Sequence, residues 1–436
     1  MDISSEEKVG EILQEGKTKI IRRGPDDDTV IIESKNDITA GDGAKHDIIE
    51  GKGAWATTTT CNVFMLLEEC GIENAFIQRL NDTDFLAEKC IMIPYEIVVR
   101  RELHGSALKR EPFQEKGHYL PQLRVEFFLK TANRQWEGNK FPVEDPLVIF
   151  NDAQDMADLY LPDQPIHAQD PFFATSQYPL QNDEILTKDG SFYYLYNCRN
   201  VISNQARKVF LVLEKQWQLL GRKLVDFKLE FGVNSDNKIV LADVVDADSW
   251  RLLKDGCHQD KQAYRDGGEL SEVAEKYRQT AELSERFGLP EQQLIIWKAS
   301  QEDKGCGFYK NDLADFGIEY RSVAISPHKE PVRAYVTIQK VIQEVPDSVL
   351  IVYCDRNSAG PTLSAQVTVP TVTVPTSWRD FPDDVWSSLR TPSETPCATI
   401  LEPNNAFLHA MQILAIRNPK IYMELRFRQE QRLLNY

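Results

Sequence analysis

Two neighbouring segments of the chain carry charged side chains whose spacing suits a magnesium and phosphate site. In the first, charged and apolar residues alternate: Asp226, Lys228 and Glu230 are interleaved with Val225, Phe227, Leu229 and Phe231. On a strand, this alternation places the charged side chains on one face. We predict strands at 224–231 and 239–245 joined by a turn, with Glu230 and Asp243 as carboxylate ligands of Mg²⁺. A solvated sheet face shows the same alternation, and the second acidic strand favours the site.

Two lysines near the beginning of the chain suit the phosphates of a nucleotide triphosphate. Lys17 and Lys19 follow Gly16, two residues apart on a predicted strand, so their side chains would share a face. On spacing alone, the favoured interpretation is that these lysines protect a solvated edge strand from aggregation. A further segment, 37–45, contains two glycines together with Asp37, Asp42 and Lys45, and is predicted to be a loop. Alone, it is weak evidence for a site.

A cluster of basic residues between 100 and 110 suits a phosphate group. The potentially cationic residues are Arg100, Arg101, His104, Lys109 and Arg110. They surround Gly105 and Ser106, which can offer a backbone N–H and a hydroxyl to an anion. A basic turn at the surface is the alternative interpretation. Further charged residues that point to a site lie downstream: Asp248, Arg251, Lys261 and Arg265.

The composition excludes several classes of protein. Lys plus Arg number 50 against 67 Asp plus Glu, a net charge of −17, which argues against binding nucleic acid through a basic surface. A few well-placed cations can still hold a small anionic substrate. We expect no membrane span and no signal peptide, because no apolar run is long enough and the first residues are polar. The eight scattered cysteines are typical of a reducing, cytoplasmic location.

The pattern of predicted elements divides the chain into domains at 1–288 and 291–436. The first alternates strands with helices expected at 57–70, 204–220 and 271–287, and contains an acidic, proline-containing insert at about 142–195 that is predicted to be rich in loops. The second alternates strands and helices of similar length. That alternation predicts a doubly wound parallel sheet in an α/β domain. A terminal helix pair is expected over 406–434.

Six segments of the first domain resemble, in order, the motifs of SAICAR synthetase. They are EGKTK, DITAGDGAK, MIPYEIVVRRELHGSALKR, LVDFKLEFG, LADVVDADSWR and DKQAYRD, within residues 10–285. The resemblance implies a two-lobed, ATP-grasp-like α+β fold. It also implies that ATP and Mg²⁺ are used to join the carboxylate of the ribotide CAIR to the amine of L-aspartate.

The resemblance also assigns expected roles to individual residues. Lys17 and Lys19 would contact ATP phosphates, Glu230 and Asp243 would bind Mg²⁺, and Lys228 and Asp226 are the candidate catalytic residues, with Lys228 between the nucleotide phosphates and the ribotide. Expected substrate ligands are Arg100, Ser106, Asp248, Arg251, Lys261 and Arg265, with Asp37, Asp42 and Lys45 closing on aspartate. His104 stands where an alanine is more usual, beside the expected phosphate site.

The second domain resembles the AIR carboxylase domain that is fused to SAICAR synthetase in the animal bifunctional enzyme. The segments are 294–303, 326–331 and 384–393. The resemblance implies a doubly wound three-layer α/β fold, assembly into a homo-oligomer, typically an octamer, catalysis by His328 and substrate contacts from Ser300, Asp303 and Arg356. Two loops depart from the family: Ala299 replaces a glycine before Ser300, and Asp355 places a carboxylate where a glycine is usual.

Three hypotheses follow for the whole chain. It is a SAICAR synthetase whose second domain lacks carboxylase activity and serves for oligomerisation, or a bifunctional carboxylase and synthetase, or an inactive assembly protein. The complete set of Lys17, Lys19, Glu230 and Asp243 argues against the third. A related ligase of a specialised nucleoside pathway is a further variant of the first.

Overall fold

The computed structural model describes residues 10–40, 45–131, 145–151, 156–175, 195–300, 310–355 and 358–434. The chain separates into two units, residues 1–288 with 432–436, and residues 289–431. Three predicted site residues, Asp42, Asp303 and Arg356, lie outside the described residues. None of the helices in the described ranges has the length and apolarity needed to span a bilayer.

The first unit combines antiparallel strands with a few helices. Its strands are β1 (Ile12–Glu15), β2 (Lys19–Arg23), β3 (Thr29–Ser34), β4 (Asp37–Ala40), β5 (Lys45–Ile48), β6 (Phe76–Arg79), β7 (Asp84–Glu88), β8 (Ile91–Met92), β9 (Tyr95–Glu102), β10 (Tyr119–Leu129), β11 (Leu147–Asn151), β12 (Met156–Tyr160), β13 (Phe173–Thr175), β14 (Lys223–Val233), β15 (Ile239–Ala242), β16 (Trp250–Lys254) and β17 (Cys257–His258). Its helices are α1 (Lys52–Glu69), α2 (Ser106–Arg110), α3 (Leu195–Leu219), α4 (Gln262–Arg265) and α5 (Leu270–Ser284), with a 3₁₀ turn at Ile166–Ala168.

A smaller sheet with the strand order β1-β2-β3-β7-β6 forms one lobe of this unit. Helix α1 packs closely against it, because Gly53 presents no side chain at the contact. A Cβ atom at Gly53 would lie 2.6 Å from the carbonyl oxygen of Ser34 on β3. The hydroxyls of Ser34 and Thr57 are 2.8 Å apart and buried, which fixes the same contact.

A larger sheet forms the second lobe, with the path β13-β12-β11-β10-β9-β14-β16-β17 and with β8 and β15 also paired to β14. Strands β11 to β13 belong to the insert that was predicted to be rich in loops. That prediction was wrong for the described part of the insert, because its strands continue the sheet from β10. Short runs such as Leu147–Asn151 give little signal when acidic and proline-containing segments surround them.

The two faces of the larger sheet have different surroundings. One face packs against α3, where the rings of Phe210 and Phe227 stack with centroids 5.2 Å apart. The opposite face carries the charged row of β14, as the alternation predicts. Strand β14 pairs with β9 on one side and with β16 on the other, so side chains from these three strands meet on this polar face.

The second unit is a three-layer α/β structure, which confirms the predicted fold class. Its strands are β18 (Gln293–Lys298), β19 (Glu319–Ala324), β20 (Ser348–Cys354), β21 (Thr371–Pro375) and β22 (Ala398–Thr399), all parallel and in the order β19-β18-β20-β21-β22. Its helices are α6 (Lys310–Phe316), α7 (Pro331–Glu344), α8 (Ala359–Ser364), α9 (Trp386–Leu389), α10 (Pro403–Leu414) and α11 (Pro419–Leu434), with a 3₁₀ turn at Pro382–Val385.

Apolar cores lie on both faces of this parallel sheet. On one face Leu294 and Ile351 pack with Phe407 of α10. On the other face, Ile295 and Leu350 pack with side chains of the helices α7 and α8. Such strands are buried on both sides, and their sequences are therefore continuous apolar runs rather than alternating patterns.

Candidate functional site

A chain of buried ion pairs crosses the polar face of the larger sheet. Arg110 and Arg100 donate to the two oxygens of Glu126, each at 2.7 Å. Arg100 also donates to Asp226 at 2.8 Å, and Arg251 donates to the same oxygen of Asp226 at 2.6 Å. Three guanidinium groups are therefore held by two carboxylates, which leaves an excess of positive charge at a site suited to an anion.

Burial makes these contacts strong. Arg100, Arg110 and Asp226 are each no more than 3% exposed. Burial by itself raises the pKa of Glu126, but Arg100 and Arg110 outweigh it, so that its pKa lies below the ordinary value. The same Arg110 donates to the carbonyl of Pro162 at 2.9 Å and so ties the insert to the site.

Two carboxylates stand together near the junction of β14 and β15. Glu230 pairs in register with Ala242, and Asp243 follows at once with a left-handed backbone (φ 68°). Lys130 donates to both oxygens of Glu230 at 2.7 Å, and Lys19 forms an ion pair with Asp243. Burial tends to raise the pKa of Glu230, and Lys130 followed by Lys19 lowers it below the ordinary value.

This donor set fits a magnesium ion that is shared with phosphate. No group of three or more His, Cys, Asp or Glu side chains within the described ranges could hold a metal. Magnesium commonly takes only one or two carboxylates from a protein and completes its shell with water and substrate phosphates. Glu230 and Asp243 provide that minimum, and the two lysines now balance charges that a divalent cation would balance when bound.

The two lysines near the beginning of the chain occupy different environments. The prediction that Lys17 and Lys19 share one face of a strand was wrong. Lys17 is exposed in the turn between β1 and β2, whereas Lys19 begins β2. Strand alternation does not apply across the turn. Lys19 is the residue that reaches the acidic pair, and burial lowers its pKa from 10.5 to about 8.

Lys228 lies between the two regions on the charged row of β14. Its ammonium group donates to Glu96 of β9 at 3.0 Å, and its side chain is partly exposed. Burial tends to lower the pKa of Lys228, but Glu96 outweighs burial, so the pKa is raised. A protonated lysine at this position is suited to hold phosphate charge rather than to accept a proton.

A second buried cluster surrounds Asp248. Its carboxylate accepts from Lys52 at 3.2 Å, from Lys261 at 3.3 Å and from the hydroxyl of Tyr277. Burial opposes ionisation, but Lys52 and Lys261 lower the pKa of Asp248 well below its ordinary value. Asp248 therefore holds the buried Lys52 and the largely buried Lys261 together near the junction of α1 and α5.

The segment 37–45 forms strand residues at its described ends rather than the predicted loop. Strands β4 and β5 pair from Asp37 opposite Ile48 to Ala40 opposite Lys45. Asp37 contacts His46 at 2.7 Å, and Lys45 donates to the carbonyl of Tyr264 at 3.1 Å with its ammonium group 3.8 Å from the centre of that ring. The hairpin thereby reaches the segment that contains Lys261.

The remaining predicted ligands are placed at the borders of this region. Ser106 is the first residue of α2 and is half-buried, whereas Arg265 ends α4 and is exposed. Arg265 donates to Gln262 at 3.4 Å. Ser106 therefore lies next to the guanidinium chain, and Arg265 does not join that chain in this structure.

In the second unit, predicted residues follow the carboxyl ends of parallel strands. Ser300 lies after β18 and His328 after β19, and Asp355 follows β20. The sheet order reverses between β18 and β20, which is where open parallel sheets bind ligands. His328 is exposed, and Thr376 donates its hydroxyl to the carboxylate of Asp355.

Several residues that build the site were not among the sequence candidates. They are Lys52, Glu96, Glu126, Lys130 and Tyr277. Glu126 shares the alternating polar positions of β10 with Arg124. Lys52, Lys130 and Tyr277 are isolated in the sequence and gain their partners only by folding.

Comparison with known proteins identifies similar chains over nearly the whole length. The SAICAR synthetase family matches residues 12–141 and 175–283, and the AIR carboxylase family matches residues 294–433. The chain is 34% identical over 438 residues to the chicken (Gallus gallus) "Multifunctional protein ADE2", covering 97% of this chain and 94% of the relative.

Two further relatives illustrate the two-part organisation. A human (Homo sapiens) "Bifunctional phosphoribosylaminoimidazole carboxylase/phosphoribosylaminoimidazole succinocarboxamide synthetase" is 33% identical and covers 96% of this chain and 93% of itself. A Chloroflexus aurantiacus "Phosphoribosylaminoimidazole-succinocarboxamide synthase" is 37% identical over 290 residues, which are 64% of this chain and 98% of that relative. The first part of the chain therefore has relatives that consist of little else.

Replacement of Glu126 by glutamine tests the buried ion-pair chain. We expect Glu126→Gln to lower the free energy of unfolding of the first unit by about 3–5 kcal/mol, because it leaves the buried Arg110 without a carboxylate partner and leaves Arg100 only Asp226, which it shares with Arg251. Urea denaturation followed by circular dichroism measures this. Glu111→Gln is the matched control, since Glu111 pairs with Arg124 at a position where both are about one-third exposed, and we expect a loss of about 0–1 kcal/mol. Equal losses in the two variants would contradict the argument.

The titration of Lys19 can be measured by chemical labelling. We expect its reaction with an amine-selective reagent to rise with pH around a midpoint near 8, because burial lowers its pKa to about 8 and only the neutral amine reacts. Peptide mass spectrometry separates Lys19 from the exposed Lys17, which serves as the internal reference. A Lys19 profile that continues to rise without a midpoint below pH 10 would show that the amine is not held in this way.

Proposed function

Because the chain belongs to the family that joins a SAICAR synthetase domain to an AIR carboxylase domain, and is thus an ATP-dependent carbon–nitrogen ligase, we propose that it joins CAIR to L-aspartate in purine biosynthesis. The products are SAICAR, ADP and phosphate. The observation that carries this proposal is the arrangement of the acidic pair Glu230 and Asp243, with Lys19 and Lys130, on the same polar face as the buried guanidinium chain.

The reaction needs an activated carboxylate. A carboxylate oxygen of CAIR attacks the terminal phosphorus of ATP, ADP leaves, and an acyl phosphate results. The amino nitrogen of aspartate then attacks the acyl carbon, phosphate leaves with the electron pair of the carbon–oxygen bond, and the nitrogen loses a proton. Most of the charge that moves is carried by phosphate oxygens, so positioning and electrostatic stabilisation account for most of the catalysis.

The acidic pair and its lysines form the nucleotide side of the site. Glu230 and Asp243 would hold Mg²⁺, which neutralises the phosphate charge that develops during transfer. Lys19 would then exchange its contact with Asp243 for phosphate oxygens, and Lys17 can reach from the adjacent turn. A dianionic partner would raise the pKa of Lys19 and keep it protonated.

The guanidinium chain forms the ribotide side. Arg251 and Ser106 border the excess of positive charge and would bind the ribotide phosphate, with Arg100 fixed behind them. Asp226 was a candidate catalytic residue. Because it accepts from two guanidinium groups, we assign it a positioning role, and assign Lys228 the place between the two phosphate-binding regions.

The lysines around Asp248 suit the carboxylates of aspartate. Lys52 and Lys261 share Asp248 as their counter-ion, and Lys45 approaches the same segment through Tyr264. Aspartate carries two carboxylates, so a site with more than one cation fits it. The hairpin that begins at Asp37 would cover this end of the site.

Variants of the acidic pair test the metal assignment. We expect Glu230→Gln or Asp243→Asn to reduce kcat/KM for SAICAR formation by about 100-fold or more, because stabilisation of the transferring phosphate is lost. Coupled ADP release, measured at several Mg²⁺ concentrations, gives the rates. Glu73→Gln is the control, since Glu73 pairs with Lys238 on the surface. Wild-type rates in both acidic-pair variants would refute the assignment.

For the second unit, we propose a role in oligomerisation without carboxylase activity. Strand β19 is exposed over most of its length, and α7 exposes Val332, Tyr335 and Val336 on one face. Exposed apolar surface and an open sheet edge are typical of subunit interfaces. At the ligand-binding edge, Asp355 adds a negative charge that would repel a ribotide phosphate.

A bifunctional carboxylase and synthetase is the second candidate. It is favoured by the placement of Ser300 and His328 at the carboxyl edge of the parallel sheet, where such domains bind ligands. His328 is accessible and would be available to exchange a proton. The negative charge of Asp355 at the switch point favours the first candidate.

Paired assays separate the two candidates. We expect SAICAR formation from CAIR, aspartate and MgATP, and no consumption of AIR with bicarbonate or CO₂, because Asp355 opposes phosphate binding. Asp355→Gly tests this reason directly. The variant removes the repulsive charge and restores the glycine that the family resemblance leads us to expect. Carboxylation by the unmodified chain would establish the bifunctional alternative.

The oligomeric role is tested on the same protein. Light scattering compares the full chain with Val336→Asp, which places a charge on the exposed apolar face of α7. A smaller assembly with SAICAR synthesis maintained is the expected result. An unchanged assembly size would rule out that face as the interface.

A further inference from the structure

His104 is a buried histidine whose two ring nitrogens have no hydrogen-bond partner among the described residues. The residue is 4% exposed, and both Nδ1 and Nε2 are buried. Nε2 lies 3.5 Å from Glu102 Oε2, without the geometry of a hydrogen bond. A buried polar atom without a partner has lost its hydrogen bonds to water and gained none in exchange. Such an arrangement is uncommon in native proteins and calls for a physical explanation.

Charged groups of both signs act on the imidazole from several neighbouring elements. Glu102 of β9, Asp226 of β14, Arg251 of β16 and Lys116 before β10 are the main ones. Lys223 pairs with Glu102 on its far side, and the ring of His258, itself 3.3 Å from Asp260, lies edge-on with its centre 6.3 Å away. Burial is the main cause that lowers the pKa of His104, Arg251 and Lys116 add to it, and Asp226 and Glu102 oppose it.

The position of His104 connects it to the proposed phosphate site. It directly precedes Gly105 and Ser106, and Gly105 has a left-handed φ of 58°. A Cβ atom at Gly105 would lie 2.3 Å from Nη2 of Arg251, so the guanidinium group rests on this glycine. The other Arg251 nitrogen is bound to Asp226. An anion held by Arg251 and Ser106 would therefore be close to the imidazole.

A bound phosphate would reverse the balance of charge around the ring. Without ligand, Arg251 repels a proton on His104. A phosphate monoester with two negative charges would neutralise Arg251 and add negative charge near the imidazole, which favours the protonated ring. The protonated form can donate from both nitrogens, so Glu102 would gain a donor at the same time.

We propose that His104 takes up a proton when the ribotide phosphate binds, and thereby makes the site selective for a phosphate monoester dianion. This inference rests on the proposed function, since the phosphate belongs to the ribotide bound by Arg251 and Ser106. His104 would therefore carry a positive charge only in the complex with the ribotide. In the free protein the neutral ring adds no further repulsion to the three neighbouring guanidinium groups.

Proton uptake can be counted by calorimetry on the full chain. CAIR is titrated at pH 8 in two buffers of different ionisation enthalpy. The second pKa of a phosphate monoester is about 6, so at pH 8 the ligand is already dianionic and a counted proton enters the protein. We expect uptake of about 0.5–1 proton in the wild type. His104→Gln should reduce the uptake to near zero. It should weaken binding about twofold if the wild type takes up about 0.5 proton, and about tenfold if it takes up about 0.9 proton.

Two comparisons isolate the histidine and the phosphate. His258→Gln should leave proton uptake unchanged. The ring of His258 lies near His104, but His258 is not next to the Gly105–Ser106 turn at which the phosphate would bind. The CAIR nucleoside, which lacks the phosphate, should bind without proton uptake. His104→Ala provides a second variant at the same position should the glutamine variant fail to fold.

The outcomes separate this inference from the proposed function. Binding of CAIR with the same proton uptake in wild type and His104→Gln would overturn the role of His104 and leave the ligase intact. Binding without any proton uptake by the wild type would do the same. Failure of the wild type to bind CAIR would overturn the proposed function itself.

Discussion

The first unit depends on the pairing of three guanidinium groups, two buried and one half-buried, with two buried carboxylates. Arg110, Glu126, Arg100, Asp226 and Arg251 alternate in sign along the polar face of the larger sheet. Removing one member would leave a charge without compensation in a poorly solvated place, which is why the chain acts as a unit. It also joins elements that are distant in sequence, from the insert to β16. The surplus positive charge is what prepares the face for an anion.

The acidic pair on the proposed nucleotide side is balanced by counter-ions of a different kind. Glu230 and Asp243 are balanced by lysines, which are flexible and can move to new partners, whereas the guanidinium chain is rigid and hydrogen-bonded. Burial lowers the pKa of Lys19 to about 8, so its charge is sensitive to the groups that surround it. In the function that we propose, this side would accept and release a metal-bound triphosphate, for which exchangeable counter-ions are an advantage. The proposed ribotide side would instead gain from the fixed geometry of the guanidinium chain.

The two units place their polar groups according to their sheets. In the first, one sheet face packs on α3 and the other remains polar, so the site can occupy a face. In the second, both faces are buried and polar groups can collect only at the ends of strands. That constraint places Ser300, His328 and Asp355 at one edge. The exposed surfaces of β19 and α7 are those that we propose as a subunit interface.

The sequence alone determined the features that arise from local periodicity. The alternation around Lys228 predicted the polar face of β14, and the apolar runs after 291 predicted the parallel three-layer unit, because side-chain direction follows directly from backbone repeat. Whether Lys17 and Lys19 share a face could not be predicted this way, since a turn between them breaks the repeat. Tertiary structure alone decided that Glu126 and Lys130 belong to the site and that the insert adds strands to the sheet. These contacts join residues that are far apart in the chain. They are stabilised by the burial of opposite charges together, and a local sequence pattern contains no information about such pairs.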